Sequence, residues 1–110
     1  MSSSQMLKGI LEGCLLAIIG KGETYGYEMI EKLNGYGFSM VKEGSIYPLL
    51  LRMKKEGLVT TTKKKHPSGG PQRKYYAITE EGRHELEAFK IRWKSISGGV
   101  ENLLEGEERI

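Results

Sequence analysis

Five cations lie in the segment KKKHPSGGPQRK, residues 63–74: Lys63, Lys64, Lys65, Arg73 and Lys74, with no carboxylate among them. Side chains of this kind neutralise phosphate oxygens, Lys as a point charge and Arg as a planar fork. Between them stand Pro67, Gly69, Gly70 and Pro71, in a stretch too long and too polar for a tight turn. The flanking runs, TTT before and YYAIT after, are β-branched and aromatic, so residues 60–79 predict a hairpin with a basic tip. Across residues 52–74 eight cations face the single carboxylate Glu56, on a chain whose net charge is only +3. A basic surface that concentrated points to a polyanionic partner, with a merely solvated loop as the plainer reading.

Catalytic chemistry finds little to work with. The chain has no aspartate, so paired-carboxylate or metal-phosphate chemistry would fall to glutamates that read as exposed helix faces. His66 and His84 have no metal-ligand spacing to Cys14, and Cys14 lies on an apolar stripe where a buried, inert thiol is the ordinary outcome. A redox role for Cys14 is the reactive alternative. GKGETYG lacks the Lys-Ser/Thr ending of a phosphate-binding loop. No enzyme, no metal and no cofactor are expected. One cysteine fits a reducing compartment, no apolar run is long enough to span a bilayer, and MSSSQMLKG has no signal-peptide pattern; a soluble cytoplasmic protein without a membrane partner is expected.

The 110 residues allow one small core. Leu7, Ile10, Leu11, Cys14, Leu15 and Ile18 recur at helical spacing and predict a helix over 5–20, stopped by Gly20 and Gly22. Thr24 is the expected N-cap of a second helix, YGYEMIEKLN, with Met29, Ile30 and Leu33 inward and Gly35 at its end. GYGFSMVKEG is a turn. A third helix is predicted from Ser45, with Pro48 in its first turn and Ile46, Leu50 and Met53 inside; Gly57 is the left-handed stop and Leu58 the contact after it. From Glu80 a last helix runs on, and an acidic tail closes the chain: Glu101, Glu105, Glu107 and Glu108 against Arg109.

Helix, helix, turn, helix, hairpin, helix is the order of a winged helix-turn-helix followed by one further helix: mostly α with a two-stranded wing. Residues 1–79 form the expected DNA-binding domain, and 80–110 a C-terminal dimerisation helix with its acidic tail. The third helix would enter a major groove while the basic wing meets the backbone or the adjoining minor groove. Ser45 and Tyr47 at the helix start can address bases or phosphates; Lys42, Arg52 and Lys54 are phosphate candidates. In the wing the candidates are Lys64, Lys65, Gly70, Arg73 and Lys74, glycine allowing close backbone approach. Tyr75 and Tyr76 alternate on a strand, so one is expected in the core.

In the last helix Leu86, Phe89, Trp93, Ile96, Val100 and Leu103 follow one another at spacings of 3, 4, 3, 4 and 3. That seam wants a partner helix. Packing on the chain's own first helix would use it up; pairing with a second copy, with Leu7 and Leu11 joining in, is the sharper expectation. A dimer would require two half-sites about 34 Å apart, or a multiple, on an inverted repeat of double-stranded DNA. The alternative is a winged helix serving as a protein- or RNA-binding adaptor, which has no such symmetry requirement.

EGSIYPLLLRMKKEGLV, GGPQRKYYAITEEGR and YGYEMIEKL together resemble the PadR-like transcriptional regulators over residues 7–104. The resemblance implies a homodimeric winged helix-turn-helix repressor, and the single helix after the wing is similar to the smaller, multidrug-sensing branch. In those members a tryptophan at the position of Trp93 lines a cavity between subunits and stacks on planar ligands. Carried over, Phe89, Trp93 and Ser97 are ligand-binding candidates for a planar aromatic effector. Trp93 and Phe89 as plain interface core, with Gly98–Gly99 a kink, is the other reading. Leu51 stands where the family often has a basic residue.

Overall fold

The structure, a computed structural model, describes residues 2–106; the expected tail charges Glu107, Glu108 and Arg109 lie outside the described residues. Eight elements follow the chain: α1 (Ser3–Lys8), α2 (Leu11–Gly20), β1 (Thr24–Tyr25), α3 (Gly26–Gly35), α4 (Glu43–Lys55), β2 (Val59–Lys65), β3 (Gln72–Ile78) and α5 (Glu80–Gly106). The fold is mostly helical with a small antiparallel sheet in a winged-helix arrangement, as the hydrophobic periodicity and turn residues predict.

Several local expectations are corrected. The helix predicted over 5–20 is two helices. Ser2 and Gln5 form a reciprocal capping box, Ser2 Oγ accepting the Gln5 N–H at 3.2 Å while Gln5 Oε1 accepts the Ser2 N–H at 3.1 Å, so α1 starts early. Gly9, poor at holding helix, ends α1 and lets the chain turn tightly into α2, Ile10 N–H bonding Leu7 O at 2.9 Å. Thr24 is not an N-cap. It lies fully buried in β1, its hydroxyl donating to Glu28 Oε1 at 2.8 Å, and the cap position falls to Tyr25 in extended backbone.

The second and third predicted helices, α3 and α4, end alike. Gly37, φ +103°, is the left-handed residue after α3, rather than Gly35; Phe38 N–H bonds Leu33 O at 2.9 Å and Gly37 N–H bonds Asn34 O at 3.0 Å. Gly57, φ +78°, does the same for α4, with Leu58 N–H on Met53 O at 2.9 Å and Gly57 N–H on Lys54 O at 3.0 Å. Both are Schellman closures, which need a residue free of the Cβ penalty at positive φ. Helix α4 starts two residues before Ser45, so Pro48 falls in its second turn and removes the bond to the Gly44 carbonyl. Gly44 is exposed, so water can serve that oxygen.

The sheet has three strands in the order β1-β3-β2, one more than the two-stranded wing expected, because Thr24 and Tyr25 pair with Tyr76 and Tyr75. Strands β2 and β3 pair from Val59↔Ile78 to Lys65↔Gln72. The core gathers Leu15, Leu16, Ile19, Met29, Leu33, Ile46, Leu50 and Met53, so α2, α3 and α4 close on one apolar centre, with Val59 and Tyr76 joining from the sheet. Helix α5 lies first against α2 and β3 and then leaves the body, stretching the molecule to 59 × 28 × 21 Å. Ser97-Gly98-Gly99 does not interrupt it: the helix runs through.

Candidate nucleic-acid interface

Burying Ile46, Leu50 and Met53 fixes how α4 faces outward. At 100° per residue the opposite ridge is Gly44, Pro48, Leu51 and Lys55, spaced 4, 3 and 4, and all four are exposed. Ser45 flanks this ridge on one side and Tyr47 and Lys54 on the other. Tyr47 turns toward α3, where a Cβ on Gly26 would stand 2.5 Å from its hydroxyl and 3.0 Å from its ring. Gly26 is therefore required for this packing. Burial, with Glu43 adding to it, pushes the Tyr47 phenol up, so it stays a neutral hydroxyl able to donate. Between the start of α3, the start of α4 and the wing is a cleft of about 410 Å³, lined among others by Tyr27, Glu43, Tyr47, Lys74 and Tyr76. Lys42, the N-cap of α4, is exposed just before it.

The strand period divides the wing's charge between two faces. Lys63, Lys65 and Lys74 share the face of Val59, Thr61 and Tyr76, which is the face that packs on the core near its base. Lys63 stands directly across from Lys74, and like charges so placed repel unless an anion lies between them. Lys64 and Arg73 point to the other face, where they are already engaged. Lys64 pairs with Glu23 and lies 4.7 Å from the Tyr75 ring, and Arg73 lies 4.6 Å from that of Tyr25. Tyr25 meets Tyr75 edge-on at 5.2 Å and His66 at 6.0 Å, so this face is an aromatic layer under two cations. At the tip Gly69 and Gly70 have φ of +96° and +93°, and Ser68 N–H bonds His66 Nδ1 at 3.1 Å. Gly70 is exposed there.

Not every expected contact joins this surface. Arg52 lies on the Ser45 side of α4, more than a quarter-turn of the helix from Lys54; its guanidinium pairs with Glu12 of α2 and, at 3.4 Å, with Glu56. It therefore brings no free charge to the outward ridge. Lys54 and Lys55 are exposed and make no ion pair among the described residues. Tyr75 and Tyr76 are both buried, on opposite faces of β3, and only Tyr76 belongs to the main core.

Along α5 the apolar seam splits in two. Leu7, Leu11 and Leu86 are buried within the chain itself, and Phe89 lies against Gly13, where any Cβ would run into its ring. Trp93 is 45 % exposed, Ile96 63 %, Val100 49 % and Leu103 74 %. Ser97 lies one turn beyond Trp93 on the same side, while Gly99 flanks the stripe and Gly98 lies on the opposite face of the helix, with open space around both. Burial pushes the half-buried Cys14 thiol up, which lowers its thiolate fraction. No helix among the described residues is long and apolar enough to cross a membrane.

Lys63 and Lys55 count in the basic run of the sequence but not among its expected contacts, and Gly13, Gly26 and Thr79 drew no expectation at all. Counting the register of the hairpin would have put Lys63 and Lys65 on one face and Lys64 on the other. The glycines carry no such signal, because their partners Phe89 and Tyr47 are distant in sequence. Thr79 was legible: it precedes EEG at the start of α5, accepts the Gly82 N–H at 3.0 Å and donates to Gly57 O at 2.6 Å.

Comparison with known proteins adds a second line. The model of the transcriptional regulator PadR-like family matches residues 15–88. A PadR-like transcriptional regulator from Bacillus cereus strain ATCC 14579 is 58 % identical, its crystal structure covering 93 % of this chain and 98 % of its own with a TM-score of 0.85. A Streptococcus transcriptional regulator is 39 % identical with a TM-score of 0.81, covering 90 % of this chain and 96 % of its own. A PadR family regulator from hypervirulent Clostridium difficile R20291 is 31 % identical with a TM-score of 0.76, covering 86 % and 98 %.

Proposed function

The chain belongs to the PadR-like family of transcriptional regulators, and on that footing we propose that it is a homodimeric repressor of an inverted-repeat operator, released by a planar aromatic ligand at the subunit interface. Family members are DNA-binding regulators of transcription rather than enzymes. The observation that carries the dimer is the exposed half of α5. A helix of 27 residues is about 40 Å long. Leu86 and Phe89 near its start pack on the body, whereas Trp93, Ile96, Val100, Leu103 and Leu104 continue outward uncovered. A stripe this long costs free energy in water and matches a second copy of itself across a two-fold axis.

The ligand reading rests on Trp93, a half-exposed indole at the point where α5 leaves the body, with the small Ser97 one turn on. Two copies meeting there would leave flat aromatic walls beside small side chains. Release of DNA requires that the ligand bind the DNA-free geometry more tightly; equal affinity for both would move nothing. The test is sedimentation equilibrium of the wild type and of Ile96→Glu/Leu103→Glu. Wild type at twice the chain mass, with the variant folded, monomeric and unable to hold duplex DNA tightly, is expected. A wild type that stays monomeric at micromolar concentration contradicts the reading.

A further inference from the structure

The outward ridge of α4 has an unusual inventory for a helix meant to read bases. Gly44, Pro48 and Leu51 offer no side-chain donor or acceptor, and Lys55 at the far end is suited to phosphate. Hydrogen-bonding side chains are confined to the flanks, with Tyr47 drawn toward Gly26 and Arg52 held by Glu12. Gly44 and Pro48 stand low on the helix, and the space around Gly44 is open, so the ridge can come close to whatever it faces. Leu51 is then the side chain that projects furthest at the centre, 56 % exposed.

An isolated exposed leucine needs no explanation on an ordinary surface. This one is bordered by Lys54 and Lys55 on the same helix, and only three residues separate the end of that helix from the wing bearing Lys63, Lys65 and Lys74. That charge argues against a second copy of this chain as its cover and for a polyanion. In the major groove the apolar feature of a base edge is the C5-methyl of thymine. We infer that Leu51 is a specificity-determining residue that packs on a thymine methyl at the centre of each half-site. This rests on the reading that α4 enters the major groove of an operator.

The experiment starts from the duplex that the wild-type protein selects out of a random-sequence library. Each thymine is replaced in turn, in both half-sites together, by deoxyuridine, which removes the methyl and leaves the base pair intact. Affinity is measured for wild type and for Leu51→Ala, whose unfolding midpoint is checked first. Wild type should lose about ten- to twentyfold at one such thymine position, the equivalent of two buried methyls, one in each half-site. Leu51→Ala should bind the parent duplex more weakly and show less than about twofold further loss at that position. Overturning results are a selected duplex bound tightly with no sensitive thymine, or a thymine whose sensitivity persists in Leu51→Ala. Failure to select any sequence over the starting library overturns the operator reading as well, and so is told apart from failure of the Leu51 contact alone.

Discussion

Thr79 and Gly57 join α4 to the long C-terminal helix α5. The Thr79 hydroxyl donates to the Gly57 carbonyl at 2.6 Å, at the left-handed residue that closes α4, and accepts the Gly82 N–H at 3.0 Å in the first turn of α5. Thr79 N–H also bonds Leu58 O at 3.1 Å. One residue thus caps α5 and ties it to the end of α4.

Thr79→Ala removes both side-chain bonds and should cost about 1–2 kcal/mol, within the usual range for a lost N-cap. Thr79→Ser should recover most of it. Urea denaturation of the three proteins checks this, and equal midpoints for Ala and Thr would show that the cap contributes nothing.

Gly82→Ala and Gly99→Ala should shift stability in opposite directions although both lie in α5. A Cβ at Gly82 would run into the backbone carbonyl of Leu58, which has no rotamer to escape to, so a cost of about 1–3 kcal/mol is expected. Nothing lies within 4 Å of a Cβ at Gly99, where alanine should stabilise the helix by up to about 1 kcal/mol. Thermal melts of the two variants read both signs.

The wing lysines should separate by face. Lys63→Ala relieves a like-charge pair with Lys74, so it should leave the free protein as stable or slightly more so, by a few tenths of a kcal/mol. The same change should weaken binding to every duplex and reduce the slope of log affinity against log salt by about 1 for each protomer, about 2 for a dimer on its operator. Lys64→Ala, whose ammonium is already paired with Glu23 and close to the Tyr75 ring, should change that slope less. Identical slopes for the two variants would show that the facial division has no bearing on DNA.

The helices and the wing were legible because their signals are local: the apolar spacing of Ile46, Leu50 and Met53, Gly57 before Leu58, and β-branched and aromatic runs around a Gly/Pro loop. Even there, placing the break at Gly9 needed the capping box of Ser2 and Gln5 to be weighed against an apolar stripe that continues across it. Apart from helix ends displaced by two residues, at Gly37 and Glu43, what the sequence does not reveal is which residues far apart in it meet. Arg52 reads as an outer cation until Glu12, forty positions earlier, is brought beside it. Thr24 reads as a cap until Tyr76 supplies a strand for it to pair with. Leu86 and Phe89 read as one seam with Trp93, and only the packing of α5 on α2 shows where the body stops covering it.

The most direct measurement takes the selected operator and separates its two half-sites by five or by ten additional base pairs. A dimer whose two α4 helices occupy successive major grooves on one side of the duplex requires the half-sites about one turn, roughly 10.5 base pairs, apart. Anisotropy titrations at near-physiological salt should show tight binding to the parent and a fall of at least about a hundredfold with five added pairs, which turn one half-site to the far side. Equal affinity for the parent and the five-pair duplex would contradict recognition by a rigid two-fold dimer.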